Sequence, residues 1–174
     1  MIQVFDGHND VLSRLWRSGD SSADGFFVEG SRGHIDLPRA KRGGLCGGFF
    51  AIYVPDPDIA RLSMGKPQEF GALRQDWALE VSRAQAAIFA AMVENPSGSF
   101  LQVRRSSDIA DARLAGKMCG ILHMEGADPI GEGLAELDEF EALGLRSLGL
   151  VWSRPTVFAE GVPFRFPSSP DIGP

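Results

Sequence analysis

The chain has 174 residues, 44% of them hydrophobic and 23% charged, with a formal net charge of −6. That is apolar material enough for one domain with a real core, and it argues against disorder. The acidic balance, whose largest basic cluster is Arg39-Ala40-Lys41-Arg42, argues against nucleic acid as a partner.

Val4-Phe5-Asp6-Gly7-His8-Asn9-Asp10 reads as a short apolar strand ending in a His-x-Asp pair. Side chains alternate along a strand, so His8 and Asp10 are expected to point the same way beyond its carboxyl end. Imidazole and carboxylate together suit zinc and its first-row neighbours, whereas a polar strand end capped by water has the same spacing. The polar stretch from Ser18 to Gly33 reads as a long loop over a site. Asp36-Leu37-Pro38 has the form of a helix N-cap, and Gly43-Gly44 stops that short helix. Leu45 to Val54 is a continuous apolar run, a second strand buried on both faces and ended by Pro55.

From Glu69 to about Val93, apolar residues recur at Phe70, Leu73, Trp77, Val81, Ala84, Ile88 and Met92, which predicts an amphipathic helix with its aromatic and Met positions in the core. Ser106-Ser107 caps a shorter helix running to Leu114 and ended by Gly116. Met118 to Met124 follows as a third buried strand, ending at Glu125-Gly126-Ala127. A helix with apolar Leu134, Leu137, Phe140 and Leu143, closed by Gly144, leads into a fourth strand from Leu145 to Trp152.

Strands alternating with helices, and too continuously apolar for a one-faced sheet, predict an α/β fold with a parallel sheet. The candidate groups follow strands one, three and four at their carboxyl ends, where doubly wound sheets and (β/α)8 barrels both place their sites. No G-x-G-x-x-G follows the first strand, which disfavours a dinucleotide site. No apolar run reaches the ~18 residues of a membrane span, and Met1 lies so near the first strand that no secretory signal is expected. Cys46 and Cys119 sit in apolar runs without a C-x-x-C, so both are expected to be reduced and buried in a cytoplasmic protein.

Asp6-Gly7-His8-Asn9-Asp10, Met124-Glu125-Gly126-Ala127 and Leu148-Gly149-Leu150-Val151-Trp152-Ser153-Arg154-Pro155 occur in one order. Together they resemble the membrane (renal) dipeptidase family of zinc peptidases, within the wider class of metal-dependent barrel hydrolases. The resemblance spans the chain but only about the N-terminal half of the family's length. It implies a (β/α)8 TIM-type barrel with two zinc ions, of which residues 1–174 form a partial domain with about the first four strands. By position, His8 and Asp10 would bind the first ion and Glu125 would bridge both. One carboxylate can hold two cations at a separation of ~3.5–4 Å, which lets them share a hydroxide as nucleophile. The implied reaction is hydrolysis of the peptide bond of dipeptides, with Glu125 at its centre.

Well-known members end the fourth strand in Thr-His, the His assisting the substrate carbonyl, and here Trp152-Ser153 stands in that place. Phe158, Gly161-Val162-Pro163-Phe164 and Phe166-Pro167-Ser168-Ser169 resemble a bacterial branch, which makes Trp152 a substrate-binding candidate and implies altered substrate handling. His123 shares parity with Glu125 and is either a partner that orients the carboxylate or a hydrogen-bonded interior histidine. His34 lies in a Gly-flanked loop and reads as solvated or loop-capping rather than as a ligand.

The family's two His ligands for the second ion and a catalytic Asp come from later strands, so three of five metal-ligand residues are present. Four strands cannot close, leaving unpaired edges and a barrel face open to water. The expected partners are the missing C-terminal half, a second chain or a second copy. The isolated chain is expected to be inactive. A binuclear amidohydrolase acting on N-acyl amino acids or small amides, and a non-catalytic partner subunit, remain the alternatives.

Overall fold

A computed structural model describes residues 2–30, 33–57 and 71–161. Its elements run β1 (Val4–Asn9), α1 (Val11–Arg17), α2 (Asp24–Phe27), α3 (Leu37–Gly43), β2 (Leu45–Tyr53), α4 (Gln75–Glu94), β3 (Phe100–Gln102), α5 (Ser106–Leu114), β4 (Met118–Glu125), α6 (Ala135–Leu143) and β5 (Leu145–Gly149).

Every strand pairing is parallel: β1 with β2, β2 with β4, and β4 with both β3 and β5. Residues 119–125 of β4 pair with β2 along one edge. A strand has two edges, so β3, against residues 118–120, and β5, against residues 122–125, share the other edge end to end. Side chains bridge the two: Arg146 Nε donates to the Arg104 carbonyl at 3.0 Å, and Gln102 Nε2 to the Leu143 carbonyl at 3.0 Å. With the short β3 set aside, spatial order follows chain order through β1, β2, β4 and β5, with helices between successive strands. This is the pattern of the expected half of a (β/α)8 barrel.

Several boundaries differ from the sequence reading. Helix α1 begins directly after β1 and α2 lies inside the stretch read as loop; Val11, Leu12 and Leu15 of α1 and Phe26 of α2 are core residues. Three-residue β3 is too short to show a period. The fourth strand ends at Gly149 instead of Trp152, and the second at Tyr53. Helix α4 starts at Gln75; the expected earlier start at Glu69 and Phe70 lies outside the described residues. Leu134 is the N-cap of α6, at φ 60°, and not its first turn. Arg105, and not Ser106-Ser107, caps α5, with the Asp108 carboxylate accepting the Arg104 and Arg105 amides. Helix α3 follows its sequence: Asp36 accepts the Arg39 amide at 2.9 Å, and Gly44 closes the helix at φ 77°.

The two faces of the sheet are unequal. On the helix side, Phe50, Ile52, Leu122 and Met124 are at most 1% exposed and pack with Phe26, Phe89 and Phe100. Gly120 makes this possible, because a Cβ there would stand 2.5 Å from the Phe100 ring and 2.9 Å from Phe50 and Phe89. The other face carries Phe5, Phe49 and Ile121 low down, then Tyr53, His123 and Glu125 at the carboxyl end, all only half-buried. The expectation that β2 is buried on both faces therefore fails at Phe49 and Tyr53. Cys119 is buried as expected, but Cys46, at the start of β2, is only partly so and bonds to the Val4 carbonyl. Among the described residues, no helix is long and apolar enough to cross a membrane.

Candidate metal centre

The carboxyl ends of β1 and β4 meet over the half-buried face, and His8, Asp10 and Glu125 converge there with their ligand atoms all within 4.8 Å of one another. His8 Nε2 lies 3.6 Å from Asp10 Oδ1 and 3.5 Å from Glu125 Oε2. These separations are too long for hydrogen bonds. Ligand atoms bound to one tetrahedral zinc stand roughly 3.3–3.4 Å apart, given metal–ligand distances of about 2.0–2.1 Å. The imidazole and two carboxylates therefore fit a first-row divalent cation both in chemistry and in spacing.

Asp10 reaches the site by a route other than strand alternation. The β1–β2 register slips between Asp6 and Asn9, the strand ends at Asn9, and Asp10 occupies the N-cap of α1. An Asp at that position commonly accepts an amide hydrogen bond, but Asp10 makes none. Its neighbours take over the local bonding: Asp6 accepts from the His8 amide at 3.3 Å and from Asn9 Nδ2 at 3.0 Å, while Asn9 Oδ1 accepts from the Val11 amide. Both His8 and Asp10 side chains are thereby left for a ligand.

Glu125 is the last residue of β4, and Gly126, at φ 85°, turns the chain immediately after it. Burial is the main cause holding the Glu125 carboxyl above its ordinary range; His8 and Arg154 pull it back, and Asp10 adds to the rise. A desolvated carboxylate facing a second carboxylate is the environment that a bound cation relieves.

His123 packs edge-to-face on His8, with ring centroids 5.9 Å apart, and its Nδ1 lies 2.9 Å from the Ser147 hydroxyl. Its hydrogen-bond partner is thus Ser147 on β5. Burial, then the nearby His8, lowers its pKa and favours the neutral ring. His34 is exposed and apart from the cluster.

A cavity of about 580 Å³ opens over the cluster, lined by His8, Asp10 and Glu125, by Tyr53 and Trp152, and by Ser13, Arg14, Arg17 and Ser18 from α1 and its end. Trp152 meets Tyr53 edge-to-face at 5.3 Å. Beneath them Arg154, 2% exposed, donates from Nη2 to the Tyr53 hydroxyl at 3.3 Å and stacks on its ring. Its Nη1 stands 3.8 Å from Asp128 Oδ1, and neither of those atoms has a hydrogen-bond partner. Burial raises the Asp128 carboxyl, opposed by Arg154. Burial likewise raises the Tyr53 phenol, opposed by Arg154 and Arg17. The backbone of Tyr53 is fixed by buried Gln85 of α4, which accepts its amide at 3.1 Å and donates to its carbonyl at 2.6 Å.

The sequence reading missed Tyr53, Arg154, Gln85, Asp6 and Asn9. Tyr53 had a signal, as the one polar-tipped side chain near the end of the apolar run from Leu45 to Val54. Phe158 packs against the main core, while residues 162–174, and with them the Pro163-Phe164 and Phe166-Pro167 segments, fall outside the described residues.

The family model described as membrane dipeptidase (peptidase family M19) matches residues 1–167. The chain is 47% identical to a crystal structure described as the dipeptidase AC, a metallopeptidase, with a TM-score of 0.84, covering 99% of this chain and 49% of that one. It is 45% identical to a metallopeptidase from Rhodobacter sphaeroides solved with a phosphinate mimic of the dipeptide L-Ala-D-Ala; the TM-score is 0.85, with 99% and 52% covered. A protein from the PQQ-III 3′ region of Acinetobacter calcoaceticus is 35% identical over 176 residues, spanning 99% of this chain and 56% of that protein. The chain thus spans about half the length of these relatives.

Proposed function

The chain belongs to the membrane dipeptidase family, peptidase family M19, and on that premise we propose that the protein carrying it is a zinc-dependent dipeptidase. The observation that carries this reading is the meeting of His8, Asp10 and Glu125 at the spacing of one coordination sphere. His8, Asp10 and Glu125 would hold the first ion, and the Glu125 carboxylate would be shared with a second. Zinc bound there supplies the positive charge that polarises a peptide carbonyl and acidifies water at neutral pH.

The chain's own groups do the remaining work. Asp6 and Asn9 fix the two ligands of the β1 end, while the neutral His123 ring packs against His8 and holds it in place. Tyr53 and Trp152 form an aromatic wall on which a small substrate rests, and Arg17 brings positive charge to the same cavity.

Three donors suffice for one ion. A paired site takes further donors from outside the described residues, supplied by the same polypeptide or by a partner chain, a second copy included. On this reading residues 1–174 are part of one barrel domain and have negligible peptidase activity alone. The free thiols Cys46 and Cys119 accord with a reducing compartment, the cytoplasm.

Metal analysis of the purified full-length protein, with turnover on dipeptides beside N-acyl amino acids, tests the reading. Bound zinc, dipeptide hydrolysis and its loss in Glu125→Gln are expected. Activity without any transition metal would overturn the zinc assignment. Preference for N-acyl amino acids would make the enzyme an amidohydrolase of another specificity.

A further inference from the structure

We propose that Tyr53 is a catalytic residue of this site, its phenolic O–H donating a hydrogen bond to the carbonyl oxygen of the peptide bond under attack. This rests on the dipeptidase reading above.

The direction of the hydrogen bonds carries the inference. A guanidinium has donors only. Arg154 Nη2 lies 3.3 Å from the Tyr53 hydroxyl, so the phenol oxygen is the acceptor there and its own proton points elsewhere. No acceptor among the described residues takes that proton, and the Tyr53 side chain lines the same cavity as His8, Asp10 and Glu125. Tyr53 and Glu125 are register partners at the ends of neighbouring parallel strands and share a face. A carbonyl held against the Glu125 cluster is therefore beside the phenol. An unperturbed tyrosine titrates near ~10, so the donor keeps its proton at neutral pH. No proton is transferred: the O–H bond stays intact while the carbonyl oxygen gains negative charge.

The group is also built to hold still. Gln85, 0% exposed, bonds both the amide and the carbonyl of Tyr53, and Trp152 meets the ring edge-to-face at 5.3 Å. Arg154, stacked on the ring with its Cζ 5.7 Å from the centroid, is only 2% exposed. A donor fixed before the reaction begins is worth most where charge develops. Arg154 is then a positioning residue, because it sets the direction of the phenolic proton without touching substrate.

The test is steady-state kinetics of the full-length protein on a dipeptide, with calorimetric binding of a phosphinate dipeptide analogue that mimics the tetrahedral oxyanion. Tyr53→Phe is expected to lower kcat about 10²–10³-fold, the usual effect of losing one oxyanion donor, with KM and metal content little changed. Phosphinate affinity should fall in parallel. Arg154→Gln, whose side-chain carbonyl can accept the phenolic proton and turn it away, should reproduce the kcat loss. Arg154→Lys, a donor only, should retain most activity. Unchanged kcat in Tyr53→Phe, or a rise confined to KM as for a group that reads the substrate carboxylate, would overturn the proposal. A wild-type protein inactive on every dipeptide would instead overturn the parent reading, and this one with it.

Discussion

His8 Nε2 lies 3.5 Å from Glu125 Oε2, although the two residues sit at the carboxyl ends of β1 and β4, far apart in sequence, and no hydrogen bond joins them. The separation is that of two ligand atoms around one tetrahedral cation.

Glu125→Gln keeps the shape and removes the charge. In the full-length protein it should lower zinc stoichiometry and reduce kcat at least 100-fold, about 2.7 kcal/mol of transition-state stabilisation. Metal content by plasma mass spectrometry and dipeptide turnover measure the two effects. Full zinc occupancy with wild-type turnover would refute the assignment of Glu125.

Without metal, the same substitution should stabilise the fold at neutral pH. Burial raises the Glu125 carboxyl, so the native state holds its proton to higher pH than the unfolded chain does. The slope of stability with pH follows the difference in bound protons and is negative for such a group. The metal-free wild type thus loses stability as pH rises from the unfolded carboxyl range through the raised native value, and below that window the penalty is absent. Thermal melts of chelated wild type and Glu125→Gln should separate at neutral pH and converge in acid. Curves that run parallel at all pH values would show that burial of this carboxyl has no energetic weight.

Metal binding should follow the opposite sign. Protons compete with the cation for Glu125, and because its carboxyl is raised they compete to higher pH than at an exposed glutamate. Zinc affinity of the full-length protein, measured by competition with a chelating dye, should therefore climb with pH through the weakly acidic range and then level. A flat profile there would exclude Glu125 as a ligand.

Asn9→Ala removes the side chain that bonds both Asp6 and the Val11 amide while leaving all three ligands in place. Loss of a partner that orients ligands typically costs about 10–100-fold in metal affinity, and that loss is expected here with the far-UV circular dichroism unchanged. Wild-type affinity in this variant would mean that the β1 end holds its shape without the Asp6–Asn9 bond.

Gly120→Ala tests the core behind the site. The new methyl would stand 2.5 Å from Phe100 and 2.9 Å from Phe50 and Phe89, and those rings interlock with one another. Overpacking of this kind costs about 1–3 kcal/mol, readable as a lower denaturation midpoint in urea. An unchanged midpoint would mean the aromatic cluster yields more easily than its packing implies.

The sequence by itself determined the strand–helix alternation, the caps of α3, the amphipathic α4, and the placement of His8 and Glu125 toward strand ends. All of these are written in local periods or short motifs, because a side chain's face follows from its own strand or helix. What surrounds the ligands is another matter. Gln85 clamps Tyr53 from 32 residues away, and Arg154 reaches the same phenol from 101 residues away. Helix α1 carried its own apolar spacing at Val11, Leu12 and Leu15, yet Asp10 became its N-cap only because β1 ended one residue earlier. The shared edge of β3 and β5 along β4 has no local signature at all. Tertiary structure decided these features, because hydrogen-bond direction and burial depend on partners that sequence spacing does not name.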